Sequence, residues 1–317
     1  MNKLLIILGP TSTGKTDLAI YLASKLRGEI VSADSRQVYR GLDIGTGKTP
    51  NNFKTLEKEN GKWIVDKIPI HLYDVLSPNN QYSAADFIKD AKKVIEDILK
   101  RGNLPILVGG TGLYIRALVD GLSNLSAPTD KKLREKLNKL SLNKLQQKLK
   151  QLSEKKWDNL NYSDKQNPRR LIRAIELEVG KDNTQSRKIM GISNKFDILK
   201  IGLTASRQVL YKRSDERIKK RIKEGMLDEA IRLKKEGVSL KRMRQLGLEY
   251  GILADYLEGK IESKSDLIKI MDGKIHAYIR RQLTWFKKEK NVHWFDIIVP
   301  DYMNEIEIET LDWYNQT

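Results

Sequence analysis

The chain of 317 residues carries 59 Lys plus Arg against 41 Asp plus Glu, a formal net charge of +18, and no cysteine. Disulfides, thiolate nucleophiles and thiolate-bound zinc are thereby excluded; the three histidines (His71, His276, His293) are too scattered for a histidine-rich metal cluster, and no apolar run approaches the roughly 20 residues of a membrane span. The length suits one large domain plus a smaller one in a reducing cytoplasm, and the cationic surplus favours a polyanionic partner through counterion release.

Leu4-Leu5-Ile6-Ile7-Leu8 reads as a buried strand, so the amino terminus is expected to be core and not a removable leader. It runs into Gly9-Pro10-Thr11-Ser12-Thr13-Gly14-Lys15-Thr16, followed by an amphipathic stretch from Asp17 to Leu26. Strand, glycine loop and helix supply the context that the phosphate-loop pattern G-x-x-x-x-G-K-[ST] requires. Gly9 and Gly14 let the backbone close round an anion, Lys15 adds a mobile positive charge, and the Thr16 hydroxyl suits a phosphate-bound Mg²⁺. The loop predicts a diphosphate or a triphosphate without choosing between them.

A second strand is expected over Glu29–Ser32, and a helix over Ala84–Arg101 from apolar residues at 84, 87, 88, 91, 94, 95, 98 and 99. Pro105–Val108 reads as a buried strand ending in Gly109-Gly110. From about 125 to 192 the texture turns helical and basic, with leucines at 133, 137, 140, 145, 149 and 152 expected to pack and no strand expected. Phe196–Leu203 returns to the sheet, helices are expected over Arg207–Lys235, Met243–Glu258 and Ser265–Lys288, and a last strand over Val292–Phe295. The pattern implies an α/β chain: a P-loop NTPase-like, doubly wound parallel sheet with an all-helical insertion. The expected boundaries are 1–124 for the first part of the core, 125–192 for the insertion, 193–300 for the rest of the core and 301–317 for a tail without a readable pattern.

Asp34, at the carboxyl edge of the second strand, faces the expected ligand cleft. It can hold Mg²⁺ through water as in a nucleotide hydrolase, take a proton from an incoming nucleophile, or cap a turn. Arg36, Gln37 and Tyr39 follow it and can bond or stack on a base. Val108-Gly109-Gly110-Thr111-Gly112 forms a second glycine-rich turn, and a strand ending in Gly-Gly instead of an acid argues against ATP hydrolysis as the main activity. A lysine-rich genome would inflate lysine everywhere, so arginine clusters are more informative. They occur at Arg169-Arg170 with Arg173, at Arg213, Arg217 and Arg221, at Arg242 with Arg244, and at Arg280-Arg281. In Arg280–Phe286 cations and aromatics share a helix that can grip phosphate and stack a base, although Trp285 and Phe286 fit a packed core better.

GPTSTGKT, DSRQVYRGLDIGTGK, HLYDVLSPNNQYSAADF, PILVGGTGLY, RRLIRAIE, RQVLYKRSDERIKKRI and RRQLTWF occur in that order, and together they resemble bacterial tRNA dimethylallyltransferases, the IPP transferase family. The likeness runs from Leu4 to about Phe295. It implies transfer of a dimethylallyl group from dimethylallyl diphosphate to N6 of the adenosine 3′ of the anticodon, with release of diphosphate. It assigns the diphosphate to Thr11–Thr16 and the general base to Asp34. Base and tRNA contacts would come from Ser35, Arg36, Gln37, Thr111, Arg134, Arg169-Arg170-Leu171-Ile172-Arg173 and Arg244-Gln245-Leu246-Gly247-Leu248-Glu249, with the insertion closing over the anticodon stem-loop. Lys15, Thr16 with Mg²⁺, and Arg217 would stabilise the departing diphosphate. Where the family commonly has Asn-Asp before its arginine motif, this chain has Gln166-Asn167, and its usual Gly-Tyr becomes Gly247-Leu248-Glu249-Tyr250. A monomer is expected. The competing reading from another class is a P-loop kinase of a nucleoside or small metabolite; a transferase acting on free adenine nucleotide and a non-catalytic RNA-binding module explain fewer of these features.

Overall fold

A computed structural model of the chain describes residues 1–51, 53–122, 130–180 and 189–316. These divide into two compact units, Met1–Val119 with Ile192–Thr317, and Asp120–Gly191. No helix among the described residues is long and apolar enough to cross a membrane.

In chain order the strands are β1 (Asn2–Leu8), β2 (Gly28–Ser32), β3 (Leu56–Glu59), β4 (Gly61–Val65), β5 (Ile68–Tyr73), β6 (Leu104–Gly109), β7 (Gly121–Leu122), β8 (Ile189–Met190), β9 (Phe196–Thr204) and β10 (His293–Asp296). The larger unit holds an eight-stranded sheet ordered β10-β9-β1-β6-β2-β5-β4-β3. Every pairing from β10 to β5 is parallel, which buries both faces and explains the unbroken apolar runs of β1 and β6. The sheet is not parallel throughout: β5, β4 and β3 form an antiparallel meander.

Helix α1 (Lys15–Leu26) follows the glycine loop and buries Leu18, Ala19, Leu22, Ala23 and Leu26. Helix α2 (Ala84–Lys100) opens on a capping box of Ser83 and Asp86 and buries the 87, 88, 91, 95, 98 stripe, matching the sequence periodicity. Helix α3 (Gly112–Val119) follows β6.

The smaller unit is built from α4 (Lys131–Leu137), α5 (Leu142–Leu152), α6 (Glu154–Asp158), α7 (Tyr162–Lys165) and α8 (Pro168–Val179). Leu137, Leu145 and Leu149 pack on Leu171, Ile172, Ala174 and Ile175 in its core, with Leu133 and Leu140 beside them, whereas Leu152 is exposed. The unit is not purely helical, because β7 and β8 pair as a short antiparallel ribbon.

Two helices expected to be continuous are broken, each at a glycine with positive φ. Gly225 (φ 97°) separates α9 (Arg207–Lys223) from α10 (Met226–Lys235), and Gly247 (φ 143°) separates α11 (Leu240–Leu246) from α12 (Leu248–Leu257). Helix α13 (Lys264–Phe286) turns Leu267, Met271, Ile275, Ile279, Gln282 and Phe286 inward. The tail forms α14 (Tyr302–Asn315), in which Ile306 and Thr310 are buried one turn apart.

Candidate active site

Three loops leave the carboxyl ends of the adjacent strands β1, β6 and β2. The register sets Leu8 opposite Gly109 and Val108 opposite Ser32. Residues from all three loops line one cavity of about 620 Å³ in the larger unit, at the sheet edge where α/β folds bind ligands.

The first loop is held from behind. A Cβ on Gly9 (φ 141°) would lie 2.2 Å from the Leu203 carbonyl oxygen, so only glycine fits there. Gly14 is left-handed (φ 87°), and α1 starts without a side-chain cap, leaving its first amides for an anion. Lys15 Nζ donates to the Pro10 carbonyl at 2.6 Å and reaches Thr13 Oγ1 at 3.5 Å; Thr13 is itself buried and donates to the same carbonyl at 3.0 Å. Burial and the nearby Arg217 lower the Lys15 pKa to about 7, against the opposing pull of Asp34. Thr16 lines the cavity at the start of α1. Among the described residues no group of three His, Cys, Asp or Glu side chains could hold a metal ion. A hydroxyl beside ligand oxygens and water is nonetheless a normal setting for Mg²⁺.

Asp34 caps its own turn and also lines the cavity. Its Oδ1 accepts from the amides of Arg36 (2.7 Å) and Gln37 (3.4 Å), which fixes the carboxylate plane. Thr111 Oγ1 accepts from the Ser35 amide at 3.3 Å, so the second glycine turn is stitched to the Asp34 turn. The glycines of that turn permit close packing: a Cβ on Gly109 would meet the Ala33 carbonyl oxygen at 2.2 Å, and one on Gly112 would meet the Trp285 ring at 2.2 Å. Phe286 is buried, so both aromatics of the RRQLTWF segment serve packing. Gln37 accepts from Ser32 Oγ at 2.8 Å and donates to the Gly47 carbonyl at 3.4 Å.

On the far wall, Arg217 Nη1 donates to Thr11 Oγ1 at 3.4 Å. The neighbouring Arg221 and burial lower the Arg217 pKa to about 9. Glu249 also lines the cavity, where burial pushes its carboxyl up against the pull of Arg221. The loop and wall therefore gather Lys15, Thr16, Asp34, Ser35, Arg36, Gln37, Thr111, Arg217, Gly247, Leu248 and Glu249 round one space. Arg244 is engaged elsewhere, bonded to Asp255 at 2.8 Å and paired with Glu258, and Gln245 is exposed.

The remaining sequence-derived positions lie in the smaller unit. Arg169 and Arg170 are exposed at the start of α8, with Arg170 paired to Asp164. Asn167 caps that helix by accepting from the Arg169 and Arg170 amides at 3.0 and 3.3 Å, a task an aspartate would perform equally. Arg134 forms a two-pronged pair with buried Glu176 (2.6 and 2.8 Å), and Arg173 reaches the same carboxylate at 3.4 Å. Burial removes Leu171, Ile172 and Leu246 from any side-chain contact set, because their side chains complete the hydrophobic cores.

Two residues that sequence reading missed tie segments together, one at the cavity and one beside it. Gln282 accepts from the Thr11 amide at 2.9 Å and donates to the Gly110 carbonyl at 3.0 Å, clamping the two glycine loops together. Lys48 is fully buried, donating to Tyr39 O (2.6 Å), Asp43 (2.9 Å) and Asp74 (2.5 Å). A polar residue at 282, within the apolar stripe of α13, is a signal legible in sequence.

A family model described as IPP transferase matches residues 37–289. A Treponema denticola protein named tRNA dimethylallyltransferase 2 is 42% identical over 290 residues, covering 90% of this chain and 92% of its own. A Halalkalibacterium halodurans protein named tRNA dimethylallyltransferase is 36% identical over 313 residues, covering 96% and 94%. The crystal structure of a full-length tRNA isopentenylpyrophosphate transferase from Bacillus halodurans superposes with a TM-score of 0.69 at 34% identity, covering 99% of this chain and 97% of that one. A eukaryotic dimethylallyltransferase acting on tRNA shares the fold, with a TM-score of 0.76 at 23% identity, covering 100% of this chain and 81% of that one. The P-loop α/β core, the three loops at its carboxyl edge and these likenesses over nearly the whole length lead to one conclusion: the chain belongs to the IPP transferase family.

Proposed function

We infer that the protein transfers a dimethylallyl group from dimethylallyl diphosphate to N6 of the adenosine 3′ of the anticodon in tRNA, releasing diphosphate. The observation that carries the reading is a single cavity that holds a phosphate loop with a half-buried lysine, an arginine over that loop and a turn-fixed carboxylate. Residues Gly9–Thr16 would cradle the diphosphate. The N6 lone pair forms the bond to the allylic carbon as the carbon–oxygen bond breaks, and the electron pair leaves with the diphosphate. Lys15, the loop amides and Arg217 offset the charge that develops there. Mg²⁺, held by the Thr16 hydroxyl and the diphosphate oxygens, would add to that neutralisation.

Asp34 is the proton acceptor in this reading. Its carboxylate plane is held by two backbone amides, and the N6 proton moves to its Oδ2, a contribution of roughly 10²- to 10⁴-fold. Ser35, Arg36, Gln37 and Thr111 would contact the target base, which must leave its stack to reach the cavity. Exposed Arg169 and Arg170 would supply phosphate contacts, with Arg134, Arg173, Arg244, Gln245, Gly247, Leu248 and Glu249 as the further tRNA-facing set. In the same reading the protein acts as a cytoplasmic monomer.

Incubation with dimethylallyl diphosphate, Mg²⁺ and unmodified tRNA, followed by nucleoside mass spectrometry, tests this. The expected product is N6-dimethylallyladenosine at a single position. Absence of prenylated adenosine from every tRNA species would overturn the reading.

A further inference from the structure

Glu229, on α10, is a buried carboxylate outside the cavity. Its Oε2 accepts from the Asp43 and Ile44 amides, both at 2.8 Å, and its Oε1 accepts from the Gly45 amide at 2.9 Å and the Tyr250 hydroxyl at 2.5 Å. Four donors fill the acceptor sites of a carboxylate, which is why a charge is tolerated there. Three successive amides turned towards one anion make a nest of the kind that normally binds a free anion. Here a side chain of the same protein fills it and fixes the backbone of residues 43–45.

The other side of that segment touches two arginines. Arg221 Nη1 donates to the Gly45 carbonyl at 3.2 Å. At Gly47 (φ 63°) a Cβ would lie 1.7 Å from Arg221 Nη2 and 2.5 Å from Arg217 Nη2, so backbone and guanidinium groups meet with no room for a methyl. Arg217 and Arg221 are one turn apart on α9, and like charges at that spacing repel. The fixed 43–47 segment is a wall against which both are packed, and a shift of the wall is a shift of Arg217 relative to Thr11.

We propose that Glu229 is a positioning residue for the diphosphate site: by clamping the 43–47 backbone it sets the wall that holds Arg221 and, through it, Arg217 over the phosphate loop. The proposal rests on the reading of Arg217 as a diphosphate contact. The side chain also ties α10 to α12 through Tyr250, and a role confined to that tie would change melting temperature without changing ligand affinity.

The test is calorimetric titration of inorganic diphosphate with Mg²⁺ into wild type, Glu229→Gln, Arg217→Ala and the double variant, beside melting temperatures and tRNA affinity. Glutamine keeps the size but turns an amide donor on to backbone donors. Folded Glu229→Gln should bind diphosphate roughly ten- to a hundredfold more weakly, as expected for a misplaced charge. Its tRNA affinity should stay within about twofold of wild type, and in the Arg217→Ala background the substitution should add less than about twofold. Unchanged diphosphate affinity in Glu229→Gln, with a loss in Arg217→Ala, overturns the proposal and leaves the Arg217 reading standing. Full additivity of the two substitutions also overturns it. If Arg217→Ala itself binds diphosphate normally, the Arg217 reading falls and this proposal falls with it. Should Glu229→Gln fail to fold, Tyr250→Phe removes one of the four donors; it should give a smaller loss with the same dependence on Arg217, and a loss independent of Arg217 overturns the proposal.

Discussion

Binding of a diphosphate at residues 9–16 should draw a proton on to Lys15. Burial and Arg217 hold the free side chain at a pKa of about 7, so at pH 8 about nine in ten copies are neutral before ligand arrives. A bound diphosphate sets negative charge beside the amine and restores the ammonium, so about 0.9 proton should be taken up per ligand. Arg217, held at about 9, adds only about 0.1 at that pH. Titration of a non-hydrolysable dimethylallyl thiolodiphosphate with Mg²⁺ in two buffers of different ionisation enthalpy reads this number directly. Affinity should fall about a hundredfold between pH 7 and pH 9, about fiftyfold from the charged fraction of Lys15 and about twofold from that of Arg217. Lys15→Met should bind weakly at every pH and lose most of the uptake. The free protein gives a second readout. Because the folded pKa lies below the ordinary lysine value of 10.5, the unfolded chain binds more protons between the two, and stability rises with pH across that window. Lys15→Met should therefore stabilise the protein most at pH 7 and below, the gain vanishing above the unfolded pKa. Uptake near zero in wild type, or unchanged in Lys15→Met, refutes the reasoning.

Other perturbations separate the site from its supports. Asp34→Asn keeps an oxygen for the Arg36 and Gln37 amides, so the turn should survive while kcat drops roughly 10²- to 10⁴-fold; near-normal single-turnover rates would remove Asp34 from the base role. Gly47→Ala should weaken diphosphate binding at least about tenfold, because the methyl displaces both arginines; unaltered affinity would show that the wall yields freely. Lys48→Met leaves Asp43 and Asp74 without their buried cation and should cost about 3–5 kcal/mol in urea unfolding; a loss below about 1 kcal/mol contradicts that. At Glu29, burial pushes the carboxyl up, but hydrogen bonds from His71, Arg101 and Asn103 outweigh it and hold the pKa at about 2. The resulting stabilisation, about 3 kcal/mol, is present above the unfolded pKa and is lost as pH falls towards 2. Glu29→Gln should flatten that part of the pH–stability curve, and an unchanged slope would refute the assignment.

Much of the core was legible because its signals are local. The apolar runs of β1 and β6, the glycine loop and the α2 stripe each specify their element within a few residues. The meander of β3, β4 and β5 is harder to read, because its strands are short and its tight turn uses Asp66 and Lys67 in left-handed geometry without glycine. In α14 the run Glu305-Ile306-Glu307-Ile308-Glu309 alternates like a strand, yet Ile306 is buried and Ile308 is 61% exposed, as a helix requires. The breaks at Gly225 and Gly247 were visible as glycines but not as left-handed ones. At the site, the residues proposed to meet ligand carry motif signals, whereas Gln282 and Glu229 bind backbone atoms distant in sequence and Lys48 binds the Tyr39 carbonyl and the carboxylates of Asp43 and Asp74. Their only local trace is polarity where the pattern calls for an apolar side chain, as at Gln282 in α13 and Glu229 in α10.

The central claim is tested most directly by stoichiometry with both donors present. Protein, unmodified tRNA, dimethylallyl diphosphate, ATP and Mg²⁺ are incubated, and diphosphate, ADP and N6-dimethylallyladenosine are counted together. The account predicts one diphosphate for each modified adenosine and no ADP. Formation of ADP with phosphoryl transfer, and no modified adenosine, would contradict it.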